Sequence, residues 1–242
     1  MDAYIQAIAW MVTHPEARWN IRGVQYLYPG SSIHIRDPEN RQMSLGHFCY
    51  TKTKWTLFKK QYNVQALLDG FRHAATDTDS TCSFISTYNA DVARMSGKGG
   101  CLIGASIMQS PRKGTHINVY FRATEFTWRH SVDLMVFTRL LQLVPELPRP
   151  VTLHFNYNKL YLNTLFLPML EIPLGKRVHK VLRGMAYERI GKPWRQYYNQ
   201  FMNEVDTSDP EKSCKLKSIR RCMMWTRGEI EPKLIPWEEM VI

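Results

Sequence analysis

Apolar residues recur along the 242-residue chain with two periods. Ile33 and Ile35 alternate with polar neighbours over 32–36, the pattern of a half-buried strand, after the turn chemistry of Pro29-Gly30-Ser31-Ser32. Residues 24–28, 83–88, 102–108, 117–121 and 151–155 read as further strands, with Ser110 to Gly114 as a turn between two of them. Helical spacing predicts helices over 2–13, 56–73, 131–143 and 159–169. In the second of these Leu57, Tyr62, Val64, Leu67, Leu68 and Phe71 form the apolar side; in the third it is Val132, Met135, Val136, Leu140 and Leu143. Beyond Pro173 the chain turns basic and helical, over 177–190, 194–205 and 210–226. With no repeat, low-complexity stretch or linker, residues 1–242 read as a single domain, in which 174–242 form a basic helical C-terminal part.

Charge narrows the partners. A formal net charge of +11 favours an anionic ligand and admits nucleic acid. The interleaved Lys and aromatic residues of 52–62 and the basic run of 212–221 are read as solvated helical faces. Five cysteines form no Cys-x-x-Cys pair and no histidine pair has metal-ligand spacing, so no metal is expected. The odd cysteine count fits a reducing cytoplasm, and no apolar run approaches the ~20 residues of a membrane span. Gly97-Lys98-Gly99-Gly100 lacks the spacing and ending of a P-loop, which excludes that kind of NTPase.

The chemistry concentrates between Cys101 and Thr164. Cys101 follows two glycines. Arg122 ends an apolar strand, where a buried cation would need an anion such as Glu125 or a phosphate. Asp133 stands among Val132, Leu134 and Met135, so its carboxylate is expected to face a cavity or a partner.

The order of these residues resembles the thymidylate synthase and deoxycytidylate hydroxymethylase superfamily. The motifs are Ser86-Thr87-Tyr88-Asn89, Cys101, Arg122-Ala123-Thr124-Glu125, Asp133 eleven residues after Arg122, and Lys159-Leu160-Tyr161-Leu162-Asn163. The resemblance covers 77–164. It implies an α/β fold, with a mixed sheet flanked by helices on one face and dimerising through the other, and extra C-terminal helices. It implies a pyrimidine nucleoside monophosphate as substrate and 5,10-methylenetetrahydrofolate as cofactor. Cys101 would add to C6 of the base, Arg122 would hold the phosphate and Tyr161 the ribose, with Asn89, Glu125 and Lys159 completing the substrate site. Asp133 would read the base edge. A carboxylate accepts from the N4 amino group of cytosine, whereas an amide suits the O4 and N3–H of uracil, so a cytosine nucleotide is expected. The family's cytosine hydroxymethylases are typical of bacteriophages that modify their DNA.

The chain also departs from the family. Thr81-Cys82 replaces the arginine pair that grips the phosphate, Lys159 replaces a histidine, and only Gln61 or Gln65 stands where a catalytic glutamate is needed. Three readings follow: an active C5 transferase first, then a diverged enzyme with other chemistry, then a non-catalytic binding or structural relative.

Overall fold

The computed structural model describes residues 8–9, 11–13, 18–21, 23–26, 31–38, 55–56, 59, 62–77, 82–87, 101–110, 112–126, 129–207, 219–224 and 227–231. Nine strands are described: β1 (Arg18–Asn20), β2 (Gly23–Tyr26), β3 (Ser31–Arg36), β4 (Cys82–Ser86), β5 (Leu102–Ser110), β6 (Gly114–Phe121), β7 (Thr124–Glu125), β8 (Val151–Tyr157) and β9 (Leu160–Asn163). The described helices of eight residues or more are α1 (Val64–Thr76), α2 (Arg129–Leu143), α3 (Glu171–Ile190) and α4 (Lys192–Thr207).

Five strands form the main sheet in the order β3-β8-β6-β5-β4. All its pairings are antiparallel except β6 with β8. A parallel pair needs a crossover, and α2 supplies it. The fold is therefore mixed α/β, with a mixed sheet flanked by helices, as the sequence led us to expect. A smaller sheet runs β1-β2-β9-β7.

Alternation decides which face is covered. Ile33, Ile35, Ile107, Ile117, Val119, Phe121, Val151, Leu153, Phe155 and Tyr157 are all buried on the inner face. Helix α1 lays Val64, Leu67, Leu68, Phe71 and Ala74 on the core at helical spacing. Helix α2 is buried over most of its surface, with Val132, Leu134, Met135, Val136, Phe137, Leu140 and Leu141 at most 1% exposed. Each such side chain contributes roughly 1.5–3 kcal/mol relative to exposure. Gly114 closes the β5–β6 hairpin at φ +77°, and a Cβ there would lie 2.0 Å from the Pro150 carbonyl oxygen.

The outer face differs in kind. It presents Phe84, Ile103, Met108 and Tyr120, all exposed, together with Ser106, Asn118, Thr152 and Asn156. Three imidazoles cross it from strand to strand. His34 on β3 shares a hydrogen bond with Nδ1 of His154 on β8, and His154 Nε2 shares another with Nδ1 of His116 on β6, at 2.9 Å. Ser32 Oγ lies 3.0 Å from the far nitrogen of His34. Arg36, beside Asp37, is the formal charge at the edge of this face.

Several boundaries differ from expectation. The helix expected over 56–73 is broken at Asn63: the described residues 55–56, 59 and 62 are helical, Asn63 takes the left-handed backbone (φ 47°, ψ 53°), and α1 then runs from Val64 to Thr76. The segment 159–169, expected as a helix, is strand β9 followed by a 3-10 turn over Thr164–Leu170 that holds Pro168. Its leucines serve either period, and pairing with β2 and β7 selects the strand. Strands β1 and β7 were not anticipated. Helix α3 bends at Gly175 (φ 81°). The greater part of the helices expected over 2–13 and 210–226 lies outside the described residues. Of the three described cysteines, Cys82 and Cys101 are free thiols and Cys222, completely buried, is disulfide-bonded, so the expectation of reduced cysteines fails at Cys222. No described helix is long and apolar enough to cross a membrane.

Candidate functional site

Strand pairing collects the candidate residues at one end of the main sheet. Cys101 immediately precedes β5 and Arg122 immediately follows β6, and antiparallel pairing of Leu102 with Phe121 brings them side by side. The Arg122 N–H donates to the Cys101 carbonyl at 2.8 Å, and the Asn158 N–H donates to the Phe121 carbonyl at 3.0 Å. Thr87, at the end of β4, donates its hydroxyl to the Leu102 carbonyl. The Cys101 thiol is free and half-buried. Arg122 is exposed, so the expectation of a buried cation is corrected: one residue beyond the strand, its side chain leaves the core. Asn89 lies outside the described residues.

Strand β7 follows at once and carries Thr124 and Glu125, both buried. It pairs in parallel with β9, setting Thr124 opposite Leu160 and Glu125 opposite Tyr161. Glu125 Oε1 accepts the Asn163 N–H at 3.0 Å, and Asn163 Oδ1 accepts the Leu165 N–H at 3.1 Å. Tyr161 is half-buried, with the Lys159 ammonium 5.5 Å from its ring centroid.

Asp133 is the most enclosed member. It is 0% exposed, and each of its oxygens accepts a hydroxyl. The Tyr62 phenol donates to Oδ1 at 2.5 Å and the Thr124 hydroxyl to Oδ2 at 2.8 Å. One carboxylate thereby joins α2, the residue leading into α1, and β7. Burial raises its pKa to about 7, against the opposing pull of the two hydroxyls and of Arg129. Burial raises the Tyr62 pKa well above its ordinary value, with Asp133 adding to the rise.

Burial raises the pKa values of Tyr62, Asp133 and Tyr161, and Arg129 at the start of α2 opposes the rise in all three. Three residues of this network were absent from the sequence-derived list: Tyr62, Thr124 and Arg129. Tyr62 was read only as an apolar helix position. Thr124 sits inside a quoted motif without a role, and Arg129 at a helix start carries no distinctive signal. Among the described residues, no group of three His, Cys, Asp or Glu is placed to hold a metal ion.

No family model and no curated protein matches the chain. Among solved structures, a match is found to thermostable thymidylate synthase A from Bacillus subtilis. It is 9% identical, covers 71% of this chain and 82% of that one, and has a TM-score of 0.45.

Proposed function

We propose that the chain is a pyrimidine-nucleotide C5 transferase in which Cys101 is the nucleophile and a cytosine nucleoside monophosphate the preferred substrate. The observation that supports it is the strand pairing that sets a free, half-buried thiol, Cys101, side by side with the exposed Arg122 at the end of the main sheet. In this reading the thiolate forms an S–C6 bond and the C5–C6 π electrons move to C5. C5 is then the nucleophile toward a one-carbon unit that methylenetetrahydrofolate would supply, the electrons of the broken carbon–nitrogen bond returning to its nitrogen and water providing the hydroxyl; loss of the C5 proton re-forms the C5–C6 double bond as the thiolate departs. Arg122, exposed beside Cys101, is free to swing onto the substrate phosphate. Tyr161, with Lys159 over its ring, offers a hydroxyl to the sugar.

Cys101, Arg122 and Tyr161 bring a thiol, a guanidinium and a phenol, groups that suit a nucleotide. Methylenetetrahydrofolate supplies the one-carbon unit when bound, and none of the residues described here is assigned to hold it.

Release of tritium from C5-labelled dCMP, with dUMP and CMP alongside and methylenetetrahydrofolate present, tests the reading. Release from dCMP that vanishes in Cys101→Ala is expected. Release from dUMP alone would remove the cytosine assignment. One observation favours a second reading, a non-catalytic nucleotide-binding relative: both oxygens of Asp133 are already filled by the chain's own hydroxyls. No release from any of the nucleotides by the folded protein would select it.

We propose further that the chain forms a homodimer through the outer sheet face, as the sequence resemblance implies. Phe84 is 64% exposed there, with Ile103, Met108 and Tyr120 beside it. The face is nearly free of formal charge in a chain of net charge +11, so two copies can meet across it without repulsion. Sedimentation velocity should show a dimer that Phe84→Glu converts to monomer. A wild-type monomer at tens of micromolar, roughly the range in which a weak contact of this kind is populated, would reject it.

A further inference from the structure

A second site lies in the C-terminal helices, apart from the elements that carry Cys101. Helices α3 and α4 enclose a cleft of about 390 Å³ lined by His179, Lys180, Arg183, Gly184, Tyr187 and Arg195. Lys180, Arg183, Gly184 and Tyr187 recur at the spacing that places them on one face of α3. Gly191, at φ +81°, separates the two helices, and Arg183 packs on the Tyr198 ring of α4 at 4.9 Å, so Arg195 reaches the cleft from the opposite wall.

The lining contains three permanent cations and no carboxylate. Among the described residues, neither Lys180 nor Arg195 has an ion-pair partner. Burial, then the nearby Arg183, lowers the His179 pKa to about 4, so that ring is neutral near pH 7 and able to donate or accept. The Tyr187 ring is 41% exposed beside the cations. Gly184 is not demanded by packing, since a Cβ there would meet no heavy atom within 4 Å. A glycine weakens a helix interior relative to alanine; here it leaves the cleft open between the cations.

Cations that track phosphates, with an aromatic ring on which a base can stack, are the parts that single-stranded nucleic acid requires. We propose that the α3–α4 cleft binds a single-stranded nucleic acid, with Lys180, Arg183 and Arg195 on successive phosphates and Tyr187 stacked on a base. This goes beyond the C5 chemistry and does not depend on it.

Fluorescence anisotropy of a labelled oligothymidine of about twelve nucleotides, titrated with the full chain across a range of salt, tests the assignment. The logarithm of the affinity should fall linearly with the logarithm of salt. Lys180→Ala/Arg183→Ala/Arg195→Ala should reduce that slope by about 2, at roughly 0.7 per phosphate contact on a single strand. Gly184→Glu keeps a good helix former at an unhindered position and puts a carboxylate in the cleft. It should weaken binding about tenfold or more, whereas Gly184→Ala should bind like the wild type. Tyr187→Ala should weaken binding by roughly tenfold. An unchanged salt slope in the triple variant, or wild-type binding by Gly184→Glu, would overturn the site. Complete displacement by millimolar inorganic pyrophosphate, with Tyr187→Ala binding normally, would overturn the strand in favour of a small phosphate ligand. Tritium release is unaffected by Gly184→Glu, so the two proposals fail separately.

Discussion

Asp133→Ala is expected to lower the unfolding free energy by about 2–5 kcal/mol, because it removes the shared partner of two buried hydroxyls and leaves a cavity. The carboxyl group accepts from Tyr62 and Thr124, each 1% exposed, so its loss deprives both hydroxyls of this partner where water does not reach. A stranded buried donor costs about 1–3 kcal/mol, and the removed side chain adds a small cavity. Tyr62→Phe removes one bond and should cost about 1–3 kcal/mol. Because the two side chains touch, their effects should not add: the double variant is expected to recover about 0.5–3 kcal/mol relative to the sum. Urea unfolding of the four proteins measures this. An Asp133→Ala variant within about 1 kcal/mol of wild type, the average for an arbitrary substitution, would show that the cluster does not hold the three elements together.

The second large effect concerns pH. The folded chain keeps a proton on Asp133 up to about pH 7, whereas the unfolded chain releases it near 3.8. This stabilising contribution is complete below pH 3.8 and is lost as pH rises toward 7. At 1.36 kcal/mol per pH unit it amounts to at most about 4 kcal/mol.

His130 acts in the opposite sense. It is fully buried, stacked on Phe126 at 4.4 Å and hydrogen-bonded through Nδ1 to the Tyr157 hydroxyl. Burial lowers its pKa to about 3. The unfolded chain takes up this proton below pH 6.5, so stability is lost as pH falls from 6.5 toward 3. Between about pH 4 and 6.5 the two groups cancel. His154 and His179, both lowered to about 4 by burial but partly exposed, tip the balance weakly toward greater stability at higher pH. Asp133→Asn removes the opposing member. Its stability should then rise through pH 4 to 6.5 more steeply than that of the wild type, by up to about 1.4 kcal/mol per pH unit. Denaturant unfolding at several pH values measures both slopes. Parallel curves for the two proteins would mean that Asp133 titrates normally in the folded chain.

The sequence was most informative where burial follows a simple period. Strands β3, β5, β6 and β8 alternate along most of their length, and α2 carries its apolar residues at helical spacing, so these elements were recognisable. The nearness of Cys101 to Arg122 was also within reach, because a hairpin with a turn at 110–114 brings its two ends together. Leu160 to Leu167 was ambiguous, since leucines spaced two and three apart fit a strand and a helix alike. What resolved it was long-range pairing with β2 and β7, which no local window contains. Tyr62 was misjudged for a related reason. Its apolar ring belongs to the core as its spacing suggested, yet its hydroxyl meets a carboxylate 71 residues away. Arg122 shows the converse error: apolar neighbours in sequence suggested burial, but the strand ends one residue before it.

The imidazole row on the outer sheet face couples its two hydrogen bonds in direction. His154, whose pKa burial lowers to about 4, carries a single N–H when neutral and serves both neighbours. If it donates through Nδ1 to His34, its Nε2 must accept from His116; if it donates through Nε2 to His116, its Nδ1 must accept from His34. The tautomer chosen on β8 therefore sets which way the bond runs to β3 on one side and to β6 on the other.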